Sequence, residues 1–116
     1  MLKQILNEFL SNDGVTTAAL IGRDGFVIEI AEKESESDIL ALGALSSGLM
    51  RFFDRNRMLI EMGSLHQITL EYQDGVVLIS PITEEEFLVI ITNTTTRLGH
   101  LTYTLARTSS RVAAII

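Results

Sequence analysis

The stretch VTTAALIGRDGFVIEI, Val15 to Ile30, reads as two β-type runs joined by a tight turn. Val15–Ile21 and Phe26–Ile30 are the runs, and Gly22-Arg23-Asp24-Gly25 lies between them. An Asp-Gly pair tolerates the positive φ angles of a tight hairpin, so this segment predicts a β-hairpin. Phe26, Ile28 and Ile30 fall on one face of its second strand, with Glu29 on the other.

Upstream, Leu2, Ile5, Leu6, Phe9 and Leu10 follow the i, i+3, i+4, i+7, i+8 spacing of a short amphipathic helix, which Asn12-Asp13-Gly14 stops. Downstream, an acidic stretch from Ala31 to Asp38 leads into a second helix over about Glu36 to Arg55. Ser35 is its expected cap, with Glu36 and Asp38 in the first turn and Arg51 and Arg55 near the end, the charge order a helix dipole favours. A loop, Asn56 to Leu65, contains Gly63. Three strand-like runs follow: His66–Tyr72, Val76–Ile82 and Phe87–Thr92. They are joined by Gln73-Asp74-Gly75 and by Thr83-Glu84-Glu85-Glu86. Val76–Ile79 and Leu88–Ile91 are apolar on both faces, as central strands are. A third helix spans Thr94–Ile116, with Leu98, Leu101, Leu105, Val112 and Ile115 at helical spacing. The order is α-β-β-α-β-β-β-α. It predicts one α+β domain over residues 1–116, with a five-stranded, mostly antiparallel sheet sandwiched between helices.

Length and composition bound the function. The chain has 116 residues and no cysteine, which excludes disulfides, thiolate metal sites and thiol catalysis. Nine basic against fifteen acidic residues give a net charge of −6, so the basic footprint of a nucleic-acid binder is missing. No apolar run approaches the roughly 20 residues of a membrane helix, and the first ten residues do not read as a signal peptide. A soluble, cytoplasmic protein without membrane insertion is expected. Hydrophobic residues make up 47% and mean hydropathy is +0.31, yet aromatics are only 6%. That is more aliphatic surface than one small core hides.

The second helix is the informative segment. Leu42, Leu45, Leu49, Phe52 and Phe53 fall on one arc, extended by Ile39 and Met50, and this arc is expected to pack on the sheet. The remaining surface carries Leu40, Gly43, Ala44, Ser47 and Gly48 where an exposed helix would carry Glu, Lys and Gln. Arg51 and Arg55 come only at the end. Small residues four apart let another backbone approach closely. They read either as a protein–protein face or as the seat of this helix on its own sheet or under the last helix. If His66–Tyr72 is a sheet edge, its free N–H and C=O groups can template pairing with another chain, and neither proline nor lysine blocks it. Excess aliphatic surface suits a dimer.

Catalysis has little support. His66 and His100 have no metal-ligand spacing and read as packing or surface residues. Gly63-Ser64-Leu65-His66 lacks the spacing of a nucleophile elbow, and there is no phosphate-binding or dinucleotide loop. Neither a metal nor a cofactor is expected. Glu32–Asp38 and Glu84–Glu86 read as solubilising loops, and Arg51, Arg55 and Arg57 as dipole complement and solvation rather than as an arginine finger.

At residue level the chain resembles the Roadblock/LC7 family. The matching features are Val15, Ala18-Ala19-Leu20 and Arg23-Asp24-Gly25-Phe26-Val27-Ile28; the small-residue helix Ala41–Leu49; Gly63; Ile68-Leu70-Glu71; and Leu98-Gly99. Their order and spacing carry the resemblance. It implies a profilin-like sandwich and a homodimer or heterodimer whose sheets join edge to edge, with the second helices side by side. The dimer and GTPase face would then use Leu40, Gly43, Ala44, Ser47, Gly48, Arg51 and Arg55. The pairing edge would use Ile68, Thr69, Leu70, Glu71 and Tyr72. Family members bind small Ras-like GTPases as GTPase-activating proteins or scaffolds, and others are dynein light chains. A short stand-alone chain looks most like the prokaryotic, MglB-like members that pair with MglA-type GTPases. The expected activity is therefore non-enzymatic binding. The rival readings are a small-molecule sensor of the PAS or profilin-like kind, a scaffold with no GTPase partner, and an enzyme.

Overall fold

The computed structural model describes residues 1–33, 38–93 and 98–116. All eight elements are present in the expected order: α1 (Leu2–Leu10), β1 (Val15–Gly22), β2 (Val27–Glu32), α2 (Ile39–Ile60), β3 (Ile68–Tyr72), β4 (Gly75–Pro81), β5 (Glu86–Thr92) and α3 (Leu98–Ile115). The strands form one sheet in the order β2-β1-β5-β4-β3, and every neighbouring pair is antiparallel. The strands with apolar residues on both faces, β4 and β5, are interior, as their sequence requires.

The β1–β2 turn is closed by hydrogen bonds from Gly25 N to Gly22 O and from Gly22 N to Phe26 O, both 2.9 Å. Gly25 takes φ +93°, a value open to glycine. The sheet has a core on each face. On one, α1 and α3 bury Ile5, Leu6, Phe9, Leu101, Leu105 and Val112 against Leu20, Leu78, Leu88 and Ile90. On the other, α2 buries Met50 against Ala19, Ile21, Ile79, Phe87 and Val89. Arg111 on α3 clasps Glu8 on α1 through two hydrogen bonds, 2.6 and 3.2 Å.

Several boundaries differ from expectation. Helix α2 continues through Asn56–Ile60, a run without a breaker, so it ends at Ile60 rather than Arg55. It stops where Glu61 turns left-handed (φ 50°) and bonds Arg57 O through its N–H at 3.2 Å. Its cap is Asp38, whose Oδ1 accepts from Ala41 N at 3.1 Å. The expected cap Ser35 and Glu36 lie outside the described residues, as do Thr94–Arg97 before α3. β3 begins at Ile68, so His66 precedes the strand.

Candidate interaction surface

Helix α2 is seated by its small residues. Gly43 lies so near the β1–β2 turn that a Cβ there would stand 2.3 Å from Gly25 O. One turn on, Ser47 Oγ donates to Arg23 O. Two turns further, Asp54 receives the Arg23 guanidinium at 2.5 Å. Arg23 also reaches Thr83 O (3.5 Å), and its N–H donates to Glu85 O (2.8 Å). Among the described residues of α2, Gly43, Ser46, Ser47 and Met50 are the buried positions.

This corrects the expected orientation of α2. The arc of Leu42, Leu45, Leu49, Phe52 and Phe53 does not pack as a unit on the sheet. Leu42 and Leu49 are half-buried, while Leu45 and Phe52 are 55% and 58% exposed and Phe53 is exposed too. The turn approaches too closely for bulky side chains, so glycine and serine face inward and the large apolar residues face out. Of the residues expected on the free face, Gly43 and Ser47 are therefore taken up inside the protomer. Leu40 (72% exposed), Ala44, Arg51 and Arg55 do point outward, and Gly48 has open space around it.

The exposed positions have an order that a search for the sheet-facing arc misses. The exposed Ala41, Leu45, Phe52, Arg55 and Leu59, with the half-buried Gly48, recur at alternating spacings of four and three, the seam of helix-on-helix packing. Beyond it Met58, Ile60 and Met62 are exposed as well. The apolar groove there, about 480 Å³, runs from Phe52 and Phe53 to Leu65 and His66.

Among the described residues β3 is an edge strand, bonded only to β4. Ile68 is buried and Leu70 half-buried toward the α2 side, while Thr69, Glu71 and Tyr72 are exposed. Its ladder with β4 is unbroken, whereas the ladder of the opposite edge strand, β2, shifts register between Leu20 and Ile21. A bulge of that kind twists an edge away from partners, so the two edges are not equivalent.

No catalytic constellation comes together around this face. His66 and His100 are exposed. Among the described residues no group of three or more His, Asp or Glu is placed to hold a metal, and no hydrogen bond joins Ser64 to His66. Glu8, on α1 across the sheet from this face, is held below its ordinary value of 4.5, first by the hydrogen bond from Arg111. Among the described residues no helix is long and apolar enough to cross a membrane.

The Roadblock/LC7 domain model matches residues 1–92, most of the chain. The chain belongs to the Roadblock/LC7 family. Relatives of this Roadblock/LC7 chain include the uncharacterized protein MJ0310 of Methanocaldococcus jannaschii, 27% identical over 115 residues and matched over 99% of both chains. Among solved structures, Myxococcus xanthus MglB superposes with a TM-score of 0.90 at 17% identity, covering 98% of this chain and 93% of that one. The gliding protein mglB of Thermus thermophilus gives 0.87 at 22%, covering 96% and 84%. The superpositions extend the Roadblock/LC7 fold through α3, beyond the matched residues.

Proposed function

We propose that the whole chain is one Roadblock/LC7 domain that dimerises through α2 and β3 and regulates or scaffolds a small Ras-like GTPase of the MglA type. It has no chemistry of its own in this reading and works in the cytoplasm. The observation that carries the dimer is the outward-facing apolar seam of α2, which continues through the Phe53–Leu65 groove toward the free edge of β3.

Magnitudes favour a partner. The accessible surface is 7108 Å², against roughly 6,300 Å² for a folded monomer of this mass. An excess of that sign fits the large apolar side chains left uncovered on α2. Edge pairing of β3 would supply hydrogen bonds and direction, and the seam would supply burial. The GTPase reading rests on family resemblance and on the MglB-like fold. A GTPase bound across the paired helices would be regulated by selection: unequal affinity for its two states shifts their balance without a catalytic group here.

The test is capture of an MglA-type GTPase on the immobilised chain, loaded with GTP or GDP, with hydrolysis followed in solution. Nucleotide-dependent capture supports regulation, and faster hydrolysis supports GTPase activation. A dimer that captures neither form is a scaffold without a GTPase. A light-scattering mass near 12.8 kDa at micromolar concentration removes the dimer as well.

A further inference from the structure

At the edge of the sheet away from β3, Phe26 and Ile28 are 70% and 51% exposed. They line a groove of about 350 Å³ together with Gly22, Arg23, Asp24, Glu84, Glu85 and Glu86. The β1–β2 and β4–β5 turns are tied together beneath it by the bond from Arg23 N to Glu85 O. Four carboxylates thus rim two exposed apolar side chains. The one cation of the groove is already engaged, since the Arg23 guanidinium is paired with Asp54. Glu86 is held by Thr83 Oγ1, and Asp24 accepts from Phe26 N at 3.1 Å. Among the described residues, Glu84 and Glu85 have neither a side-chain hydrogen bond nor an ion pair.

We infer that this groove docks a cationic segment of another protein, one with an apolar anchor flanked by lysine or arginine. Charge complementarity selects that occupant. Phosphate-bearing surfaces are repelled by the rim, and a neutral segment would leave the carboxylates desolvated without compensation. A purely polar cation would leave Phe26 and Ile28 uncovered. The bulge in β2 beside Ile28 works against strand addition at this edge, so side chains rather than main-chain pairing hold the segment. The groove touches α2 only through the Arg23–Asp54 pair and β3 not at all, and its test reads peptide binding, so it stands or falls apart from the dimer and the GTPase.

The probe is a short labelled peptide alternating lysine with leucine, titrated by fluorescence anisotropy at low ionic strength beside the same peptide carrying glutamate for lysine. The lysine peptide binds and weakens with salt, and the glutamate peptide does not bind. Phe26→Ser with Ile28→Thr, and separately Glu84→Lys with Glu85→Lys, each weaken binding roughly tenfold or more. These side chains are exposed, so the thermal transition stays in place. Asp13→Lys with Asp74→Lys makes the same charge change at the far end of the strands and leaves affinity within roughly twofold. Equal weakening by that control, or equal binding of the glutamate peptide, overturns the site in favour of general charge attraction. A change in the mass of the unliganded protein on Phe26→Ser with Ile28→Thr overturns it in favour of self-association.

Discussion

Gly25 and Gly43 meet backbone against backbone: a Cβ on Gly43 would lie 2.3 Å from the Gly25 carbonyl oxygen. Nothing flexible stands between them to yield. Gly43→Ala must move backbone in the helix or the turn, which places it toward the upper end of about 1–3 kcal/mol and outweighs the roughly 1 kcal/mol gained in helix propensity. Its urea midpoint falls below that of the parent, whereas Gly48→Ala, which has open space, does not lower it. Equal behaviour of the two variants would contradict the seating of α2.

Neighbouring serines separate in the same assay. Ser47→Ala removes the hydrogen bond to Arg23 O and costs about 1 kcal/mol. Ser46 is equally buried, and its Oγ has no partner among the described residues. A buried hydroxyl without a partner is unfavourable, so Ser46→Ala is neutral or raises stability by up to about 1 kcal/mol.

Gly48→Arg places a long cation on the seam without disturbing the protomer's own packing. Thr69→Lys puts a charge on the β3 edge, a common guard against strand pairing. Light scattering should show each variant shifting from twice the chain mass toward 12.8 kDa, with circular dichroism unchanged. Retention of the dimer by both would place the interface elsewhere.

The Glu8–Arg111 clasp predicts a small acid sensitivity. The hydrogen bond from Arg111 lowers the Glu8 value in the fold, desolvation opposes it, and attraction to Arg111 adds to the lowering. A depressed carboxyl stabilises the fold above its unfolded value and loses that contribution as pH falls through the folded one. Stability therefore declines from about pH 4.5 downward. Arg111→Gln flattens the decline, and salt does the same because the pair is exposed. Thermal melts between neutral and acid pH check it.

The element order was legible because turn chemistry and periodicity agree locally. Asp24-Gly25 and Asp74-Gly75 mark two of the three hairpins, and Leu2 to Leu10 is a plain amphipathic stripe. The face of α2 was not legible. Hydrophobic arcs report which residues avoid water, without saying whether they bury against their own sheet or another chain. Here Leu45 and Phe52 avoid the sheet because Gly25 occupies the space in front of Gly43. The edge position of β3 depends on strand order, which no local pattern in Ile68–Tyr72 encodes. The helix end at Ile60 was hidden because Glu61, a residue with no turn signature, adopts the left-handed conformation.

The sheet order carries a consequence for synthesis. β1 is flanked by β2, its neighbour in sequence, and by β5, whose partners Val15↔Thr92 and Gly22↔Glu86 lie 77 and 64 residues away. As the chain leaves the ribosome from its N-terminus, the β1–β2 hairpin can close early, but it waits with an open inner edge until residue 92 has emerged. Throughout that interval Ala18 and Leu20, fully buried in the finished fold, lack their β5 neighbours Ile90 and Leu88. Pairing of the first strand with the last closes the sheet, and α3, whose Leu101, Leu105 and Val112 share a core with Ala18 and Leu20, completes the cover only after that.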